Sequence, residues 1–236
     1  MFVSAIILAA GKGLRLKSRV PKPLVKINSR PIIIYSLFTF SRHPLVSEII
    51  LVANSANKEA LIRKIKQYRI SKISSIVEGG TRRQDSVRCG LKRLSPETDL
   101  VLVHDGARPF VGKEEISAVI KEALETRAAV LGVPVKCTIK QVHSPQTIVH
   151  RKYIVKKTLG RENLWEIQTP QVFARELILN AYRKFSRSDV TDDAALAEKS
   201  GVKISVVPGS YHNIKITTPE DLAVARALCR QRLRGL

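Results

Sequence analysis

The stretch AIILAAGKGLRLKSRVPKPL, Ala5 to Leu24, decides how the fold is read. It begins as an apolar run, breaks into Gly11-Lys12-Gly13, and then carries Arg15, Lys17, Arg19 and Lys22 with no acid among them. The first acidic residue of the chain is Glu48. An aliphatic run that ends in glycine reads as a buried parallel strand entering a tight turn. The small residues Ala9, Ala10, Gly11 and Gly13 let the backbone approach a ligand, and successive N–H groups can form a nest for an anion. Arg15 and Lys22 add mobile charge beside it. The pattern is not a P-loop, because no G-x-x-x-x-G-K-[ST] is present, and it is not a dinucleotide fingerprint, because Leu16 stands at the third glycine position. Two readings stay open from these residues: a phosphate site, or an ordinary βα turn with solvated cations. The lack of any carboxylate through Ser47 favours the first.

Outward from this loop the chain alternates. VSAIILA, EIILVA, ISSIVE, DLVLVHD and AVLGVPV read as buried strands, and the amphipathic stretches Pro31–Arg42, Asn57–Tyr68, Arg82–Leu94 and Lys113–Thr126 read as helices. Alternation at this spacing argues an α/β fold with a mostly parallel sheet and right-handed crossovers. Ligands of such sheets bind at the carboxyl ends of the strands, where the glycine loop and HDGARP both fall. From residue 136 to 159 the character changes to β-branched alternation, CTIKQV and QTIVHRKYIVKKTL around the turn HSPQ. This reads as a β-hairpin arm, which cannot bury its apolar face alone. It either docks on a second subunit or folds back on its own sheet. Towards the end, VTDDAALAEKSG reads as a helix capped by Thr191 and stopped by Gly201, ISVVPG and NIKIT read as strands, and TPEDLAVARALCRQRLRG reads as a final helix with Thr218 as cap. Arg226, Arg230, Arg232 and Arg234 near its end suit the helix dipole.

Composition sets limits. The chain has 236 residues, 44% hydrophobic and 26% charged, which is enough for a sizeable core and for one large domain or two small ones; with no linker rich in Gly, Pro or Ser, a single domain over residues 1–236 is expected. No apolar run approaches a membrane span, and Met1 leads into FVSAIILAA without a basic leader or a secretory cleavage pattern, so a soluble, cytoplasmic protein is expected, with no membrane partner. Cys89, Cys137 and Cys229 are odd in number and far apart, which suits a reducing compartment, and the five histidines have no metal-motif spacing. Lys and Arg number 41 against 20 Asp and Glu, a net charge of +21, which attracts polyanions without choosing among nucleotides, sugar phosphates and nucleic acid. Aromatics are only 5% and no nucleic-acid-binding signature appears, so no nucleic-acid partner is expected.

Four further motifs can carry chemistry. In EGGTRRQDSV, Gly79-Gly80 ends a strand and Thr81 can open a helix; backbone amides and Ser86 can read a base edge, and Arg83 can face an anion, unless this is only a capped helix after a glycine turn. In VHDGARP, Asp105 follows a strand and is a candidate for Mg²⁺ or a substrate hydroxyl, or else caps its loop or pairs with Arg108. GRENLWEIQTPQVF places Arg161 and Thr169 beside the only tryptophan, Trp165. In NIKIT, strand alternation points Lys215 to solvent, with a cleft as the alternative.

Taken in order, AAGKGLRLKSRVPK, GGTRRQDSV, VHDGARPF, TPQVF, TDDAALAE and KITTPEDL resemble the 2-C-methyl-D-erythritol 4-phosphate cytidylyltransferase family, from about Val3 to Leu222. The first motif is shared with many sugar nucleotidyltransferases; the full set is more specific, with ribitol 5-phosphate cytidylyltransferases as the near competitor. The resemblance implies a three-layer α/β/α, Rossmann-like nucleotidyltransferase fold with a protruding β-arm. It implies transfer of CMP from CTP to methylerythritol phosphate with release of pyrophosphate, a step of the non-mevalonate isoprenoid pathway. It also implies Mg²⁺ and a homodimer whose arms interlock through residues 136–159. By resemblance, Arg15 and Lys22 stabilise charge on the triphosphate, and Ala9, Ala10, Gly11, Gly80 and Ser86 bind the nucleotide, with Gly13 and Arg83 beside them. Arg161 and Lys215 place the attacking phosphate, Asp105 and Thr169 bind the polyol side, and Arg108 and Thr138 reach it from the partner's arm region. Many members read Pro-Lys-Gln where this chain has Pro21-Lys22-Pro23; the lysine is kept.

Overall fold

The computed structural model describes residues 1–11, 13–143, 153–185 and 188–234. Lys12 and the expected HSPQ turn beyond His143 lie outside the described residues, as do the side chains of Arg232 and Arg234. The five anticipated strands are β1 (Val3–Leu8), β4 (Glu48–Ala53), β5 (Ile73–Glu78), β6 (Leu100–Asp105) and β7 (Ala128–Pro134). With β10 (Trp165–Ala174) and β11 (Ser205–Pro208) they form a seven-stranded sheet in the order β11-β7-β10-β6-β1-β4-β5. All pairs are parallel except those of β10, which runs antiparallel between β6 and β7.

Strand alternation builds three layers. Val3, Ala5 and Ile7 of β1 face α1 (Ile32–Ser41), α2 (Ser55–Gln67) and α4 (Lys113–Thr126), packing with Leu37, Phe40, Leu61, Ile116 and Ile120. Ile6, with Val101 and Val103 of β6, faces the other way onto α3 (Arg83–Leu91), α5 (Arg175–Lys184) and α6 (Asp193–Lys199). A smaller apolar cluster joins the two-stranded β2–β3 ribbon (Lys26–Ile27 and Arg30–Pro31) to α7 (Pro219–Arg234) through Ile27, Ile32, Phe110, Ile216 and Ala225. The arm is its own antiparallel pair, β8 (Ile139–His143) and β9 (Ile154–Leu159). It does not fold back on the sheet: Tyr153, Ile154 and Val155 are each more than half exposed.

Several boundaries differ from the sequence reading. NIKIT is not a strand; its backbone instead gives the Ile216 N–H to the Ala107 carbonyl at 2.9 Å. Asp192, not Thr191, caps α6, because its carboxylate accepts from the Ala195 N–H at 3.0 Å. Asn54 caps α2, which begins at Ser55, two residues before its expected start. Thr81 does not open α3; Arg82 precedes it, with its N–H on the Asp85 carboxylate. Strand β10, helix α5 and the β2–β3 ribbon were not anticipated.

Glu48 opens β4 and is buried, accepting from the Ser4 hydroxyl at 2.6 Å and the Ser95 N–H at 3.1 Å. It sits at the amino end of its strand, so the first acid of the chain does nothing to neutralise the loop at the carboxyl ends. Helix α3 reaches the sheet because Gly90 has no side chain: a Cβ there would stand 2.7 Å from Ile6 Cγ2 in the closed core. Gly90→Ala is therefore expected to destabilise by about 1–3 kcal/mol through overpacking. Thermal unfolding should fall by about 2–4 °C per kcal/mol; an unchanged midpoint would mean that Ile6 yields without strain.

Candidate active site

A cleft of about 800 Å³ opens at the carboxyl ends of β1, β4, β5 and β6. Its walls come from the loops that leave those strands, together with Lys22 and Lys215. Two asparagines shape the first loop. Asn57 Nδ2 donates to the Ala9 carbonyl and Asn54 Nδ2 to the Ala10 carbonyl, both at 2.9 Å. The same two residues lock each other through reciprocal side-chain to backbone bonds of 3.0 Å. A trans peptide is planar, so holding these carbonyls on one side turns the Ala10 and Gly11 N–H groups to the other. Among the described residues neither amide has a protein acceptor, and a Cβ at Gly11 would meet nothing within 4 Å. This is an anion nest with open space before it.

Gly13 has a different role from the one expected. It lies outside the cleft lining, with φ +68°, and a Cβ there would stand 2.6 Å from Lys22 Cβ. Its absent side chain lets the loop press on Lys22. Burial, then the neighbouring Lys215 and Arg15, lowers the Lys22 ammonium to about 8 despite the opposing pull of Asp105. Lys22 has no carboxylate at ion-pair distance among the described residues. Arg15 is exposed on the short turn Leu14–Leu16 beside it. Ser86 lines the cleft and makes only long bonds, 3.4 Å to the Gly80 carbonyl and 3.3 Å to that of Arg82.

The other side is a line of alternating charge. Lys215 Nζ lies 2.6 Å from Asp105 Oδ2, and Arg83 Nε lies 3.3 Å from Asp105 Oδ1. Arg83 Nη2 reaches Asp193 Oδ2 at 2.8 Å, and Tyr182 donates its hydroxyl to the same carboxylate. Burial pushes the Asp105 carboxyl up, but Arg83, Lys215 and Arg108 overcome it and hold it well below its ordinary value. Arg83 is thus committed to two carboxylates, whereas the sequence reading had it facing a ligand anion. Lys215 turns into the cleft, against the strand rule. Thr169 stands behind the wall: its hydroxyl accepts from the Asp105 N–H at 3.0 Å and contacts His104 Nδ1 at 3.2 Å. His104 Nε2 lies 3.2 Å from the Arg108 carbonyl, which can only accept, so Nε2 carries the proton and Nδ1 accepts from Thr169. Complete burial lowers His104 to about 4, so this ring is neutral and locked. It is no general base.

Around this one cleft the fold brings together Ala9, Ala10, Gly11, Lys22, Gly80, Arg83, Ser86, Asp105 and Lys215. Arg108 belongs to the loop after β6, not to the arm, and donates from Nη1 to the Asn213 carbonyl at 2.7 Å. Arg161 and Thr138 stay exposed at the two roots of the arm, outside the cleft of their own chain. Sequence reasoning missed Asn54, Asn57 and Asp193 as organisers of the site. Asn54 and Asn57 stood three apart after a strand, the spacing of a capping pair. Asp193 gave no such signal.

A family model for 2-C-methyl-D-erythritol 4-phosphate cytidylyltransferase matches residues 3–231. The chain belongs to this family. It is 42% identical over 232 residues to the protein of that name from Syntrophus aciditrophicus, covering 97% of this chain and 96% of that one. It is 42% identical over 236 residues to the one from Halalkalibacterium halodurans, covering 99% and 100%. The crystal structure of 4-diphosphocytidyl-2C-methyl-D-erythritol synthase from Anaerococcus prevotii aligns with TM-score 0.84 at 36% identity, over 97% of this chain and 96% of that one. The Thermus thermophilus cytidylyltransferase aligns with TM-score 0.78 at 29% identity, over 98% and 100%. The α/β fold and the cytidylyltransferase class inferred from the motifs are therefore correct.

Two outcomes are expected from this geometry. Near pH 8 the free Lys22 ammonium is about half ionised, and an added triphosphate favours the charged form, so Lys22 should add a proton uptake to CTP binding there that fades towards pH 6. Calorimetry in buffers of different ionisation enthalpy reads this, and Lys22→Met should abolish it; equal uptake in that variant would assign the proton elsewhere. Asp193→Ala leaves Tyr182 without its buried partner and Arg83 with Asp105 alone, and should reduce unfolding free energy by about 3–5 kcal/mol in denaturant titration.

Proposed function

We propose that this chain transfers the cytidylyl group from CTP to the phosphate of 2-C-methyl-D-erythritol 4-phosphate in the non-mevalonate isoprenoid pathway. The observation that carries the reading is Lys22, a half-buried cation with no ion-pair partner among the described residues, beside the vacant Ala10 and Gly11 amides. That arrangement is balanced only when a polyphosphate enters. A phosphate monoester is largely dianionic at neutral pH, with a second pKa of about 6, so the nucleophile needs no base. The neutral, buried His104 is consistent with this. The difficulty is repulsion between two anions, which fixed cations and backbone donors relieve.

In this reading a phosphate oxygen of the acceptor forms a bond to the α-phosphorus of CTP as the bond to the β-phosphate oxygen breaks, and pyrophosphate leaves. Lys22 and Arg15 balance charge gathering on the leaving group. The Ala10 and Gly11 amides hold the triphosphate, while Gly80 and Ser86 meet the nucleoside. Lys215, steered by Asp105, holds the acceptor phosphate, with Arg161 and Thr138 brought to it from the arm; Asp105 meets the polyol side, backed by Thr169 and flanked by Arg108. The exposed apolar face of the arm calls for a second copy of the chain, so the protein acts as a homodimer. No helix among the described residues is long and apolar enough to cross a membrane, and the substrates are soluble, as expected for a cytoplasmic enzyme.

Mg²⁺ fits this site in a limited way. Among the described residues no three His, Cys, Asp or Glu side chains converge, and both oxygens of Asp105 already meet cations. The donor set suits an ion that arrives on the nucleotide, with phosphates and water as its main ligands and Asp105 as a single protein oxygen. Such an ion supplies further neutralisation of the triphosphate.

The test is pyrophosphate release from CTP and Mg²⁺ with methylerythritol phosphate, set against ribitol 5-phosphate; release with the second alone overturns the acceptor. In the same assay Lys22→Ala should lower kcat by about 100-fold or more, as for loss of one transition-state donor. Near-normal turnover in a folded variant would remove Lys22 from the mechanism.

A further inference from the structure

One group of contacts lies outside the cleft and ties the arm to the acceptor side. Lys136 stands between β7 and β8, and Arg161 between β9 and β10, so they mark the two roots of the arm. Arg161 Nη1 donates to the Lys136 carbonyl. The Lys136 ammonium sits 3.3 Å from the centroid of the Tyr211 ring, and the Tyr211 hydroxyl donates to the Pro134 carbonyl at 2.7 Å. One root therefore closes on the aromatic ring directly, and the other is joined to it through the Lys136 carbonyl.

Tyr211 belongs to the segment that carries Lys215, and that segment is bonded down to the cleft. Gln168 Nε2 donates to the Ser210 carbonyl at 2.9 Å. Asn213 is completely buried and its Nδ2 donates to Gln168 Oε1 and to the Thr169 carbonyl, each at 3.0 Å. The nucleotide half rests on β1, α2 and α3 and shares no hydrogen bond with Lys136 or Tyr211 among the described residues.

We infer that Lys136 and Tyr211 form a clasp that fixes the arm root to the Lys215 segment, and that both are positioning residues for acceptor binding. The inference rests on the reading that Arg161 and Lys215 hold the acceptor phosphate. Arg161 is exposed and long, and such a side chain samples many rotamers unless a partner holds it. The clasp stabilises the Lys136 carbonyl that holds Arg161, and it fixes the arm root to the segment of the same chain that carries Lys215. An ammonium on an aromatic face stabilises this without burying a charge. Tyr211 is 42% exposed, so its replacement leaves the core intact.

The test uses the full chain with Tyr211→Ala, Tyr211→Phe and Lys136→Met. Steady-state kinetics gives KM for each substrate, and acrylamide quenching follows Trp165, the only tryptophan, which pairs with Pro134 across β10 and β7. For Tyr211→Ala and Lys136→Met the acceptor KM should rise about threefold to tenfold while the CTP KM stays within about twofold. Trp165 should become more quenchable in Tyr211→Ala, and Tyr211→Phe, which keeps the ring, should recover most of the acceptor KM. An unchanged acceptor KM, or an equal rise in both KM values, overturns the clasp. If the wild-type protein does not use the acceptor at all, the functional reading has failed. Quenching then decides the clasp alone: an increase supports it and no change refutes it.

Discussion

The Asp105 carboxylate, held between Arg83 and Lys215, is the interaction on which the acceptor side of the cleft depends. A buried carboxylate is tolerated only when cations and donors surround it. Meeting that demand draws four parts of the chain together. Arg83 comes from α3, Lys215 from the segment before α7, and the Thr169 hydroxyl, on the Asp105 N–H, from β10. Asp193 at the start of α6 then balances the second arm of Arg83. The result is a line of fixed charge that ends in a lysine at the cleft. Removing any one member leaves an uncompensated charge behind, so the line is both a support and a constraint.

The opposite wall obeys the reverse rule. Lys22 is half-buried near Lys215 and Arg15, and its ammonium is destabilised enough to fall to about 8. The pull of Asp105 offsets this only in part. Proteins commonly give up stability at sites built for a charged ligand. Binding energy released by a polyanion can then act where charge develops. The asparagine pair on Ala9 and Ala10 does comparable work with neutral groups, because it fixes the direction of two amides before the ligand comes. Preorganised donors need no reorganisation at the moment of transfer.

Four buried strands and four of the helices between them were legible because each has a strong local period, aliphatic runs for the strands and amphipathic spacing for the helices; β5 was legible as a strand but not as the edge it is, since none of its residues is buried. The glycine loop was legible because an unbroken series of cations without acids is unusual. Strand β10 was not. It carries Pro170, which has no N–H for a ladder, and its register shifts between Ile167 and Gln171. Such an irregularity re-aims side chains, and here it turns Thr169 towards Asp105. NIKIT misled for a related reason. Its letters alternate, but its burial does not: Asn213 and Ile216, three apart, are both buried, Lys215 turns into the cleft, and its hydrogen bonds go to a loop and to side chains rather than to a strand edge.

The sequence by itself determined the α/β alternation, the phosphate-seeking loop and the family, since these rest on local periodicity, on unbalanced charge and on motifs read in order. Only the tertiary structure decided what each polar group is matched with. Arg83 and Lys22 look alike in the chain as cations near glycines, yet one is consumed by Asp105 and Asp193 and the other is left unpaired. Asp193 looks like an ordinary first-turn acid, yet it is completely buried as a counter-ion. Pairing of charge depends on distances of a few ångströms between residues 22 to 110 positions apart in the chain. Local pattern carries no information about such distances; the packing of α3 and α6 on one face of the sheet creates them.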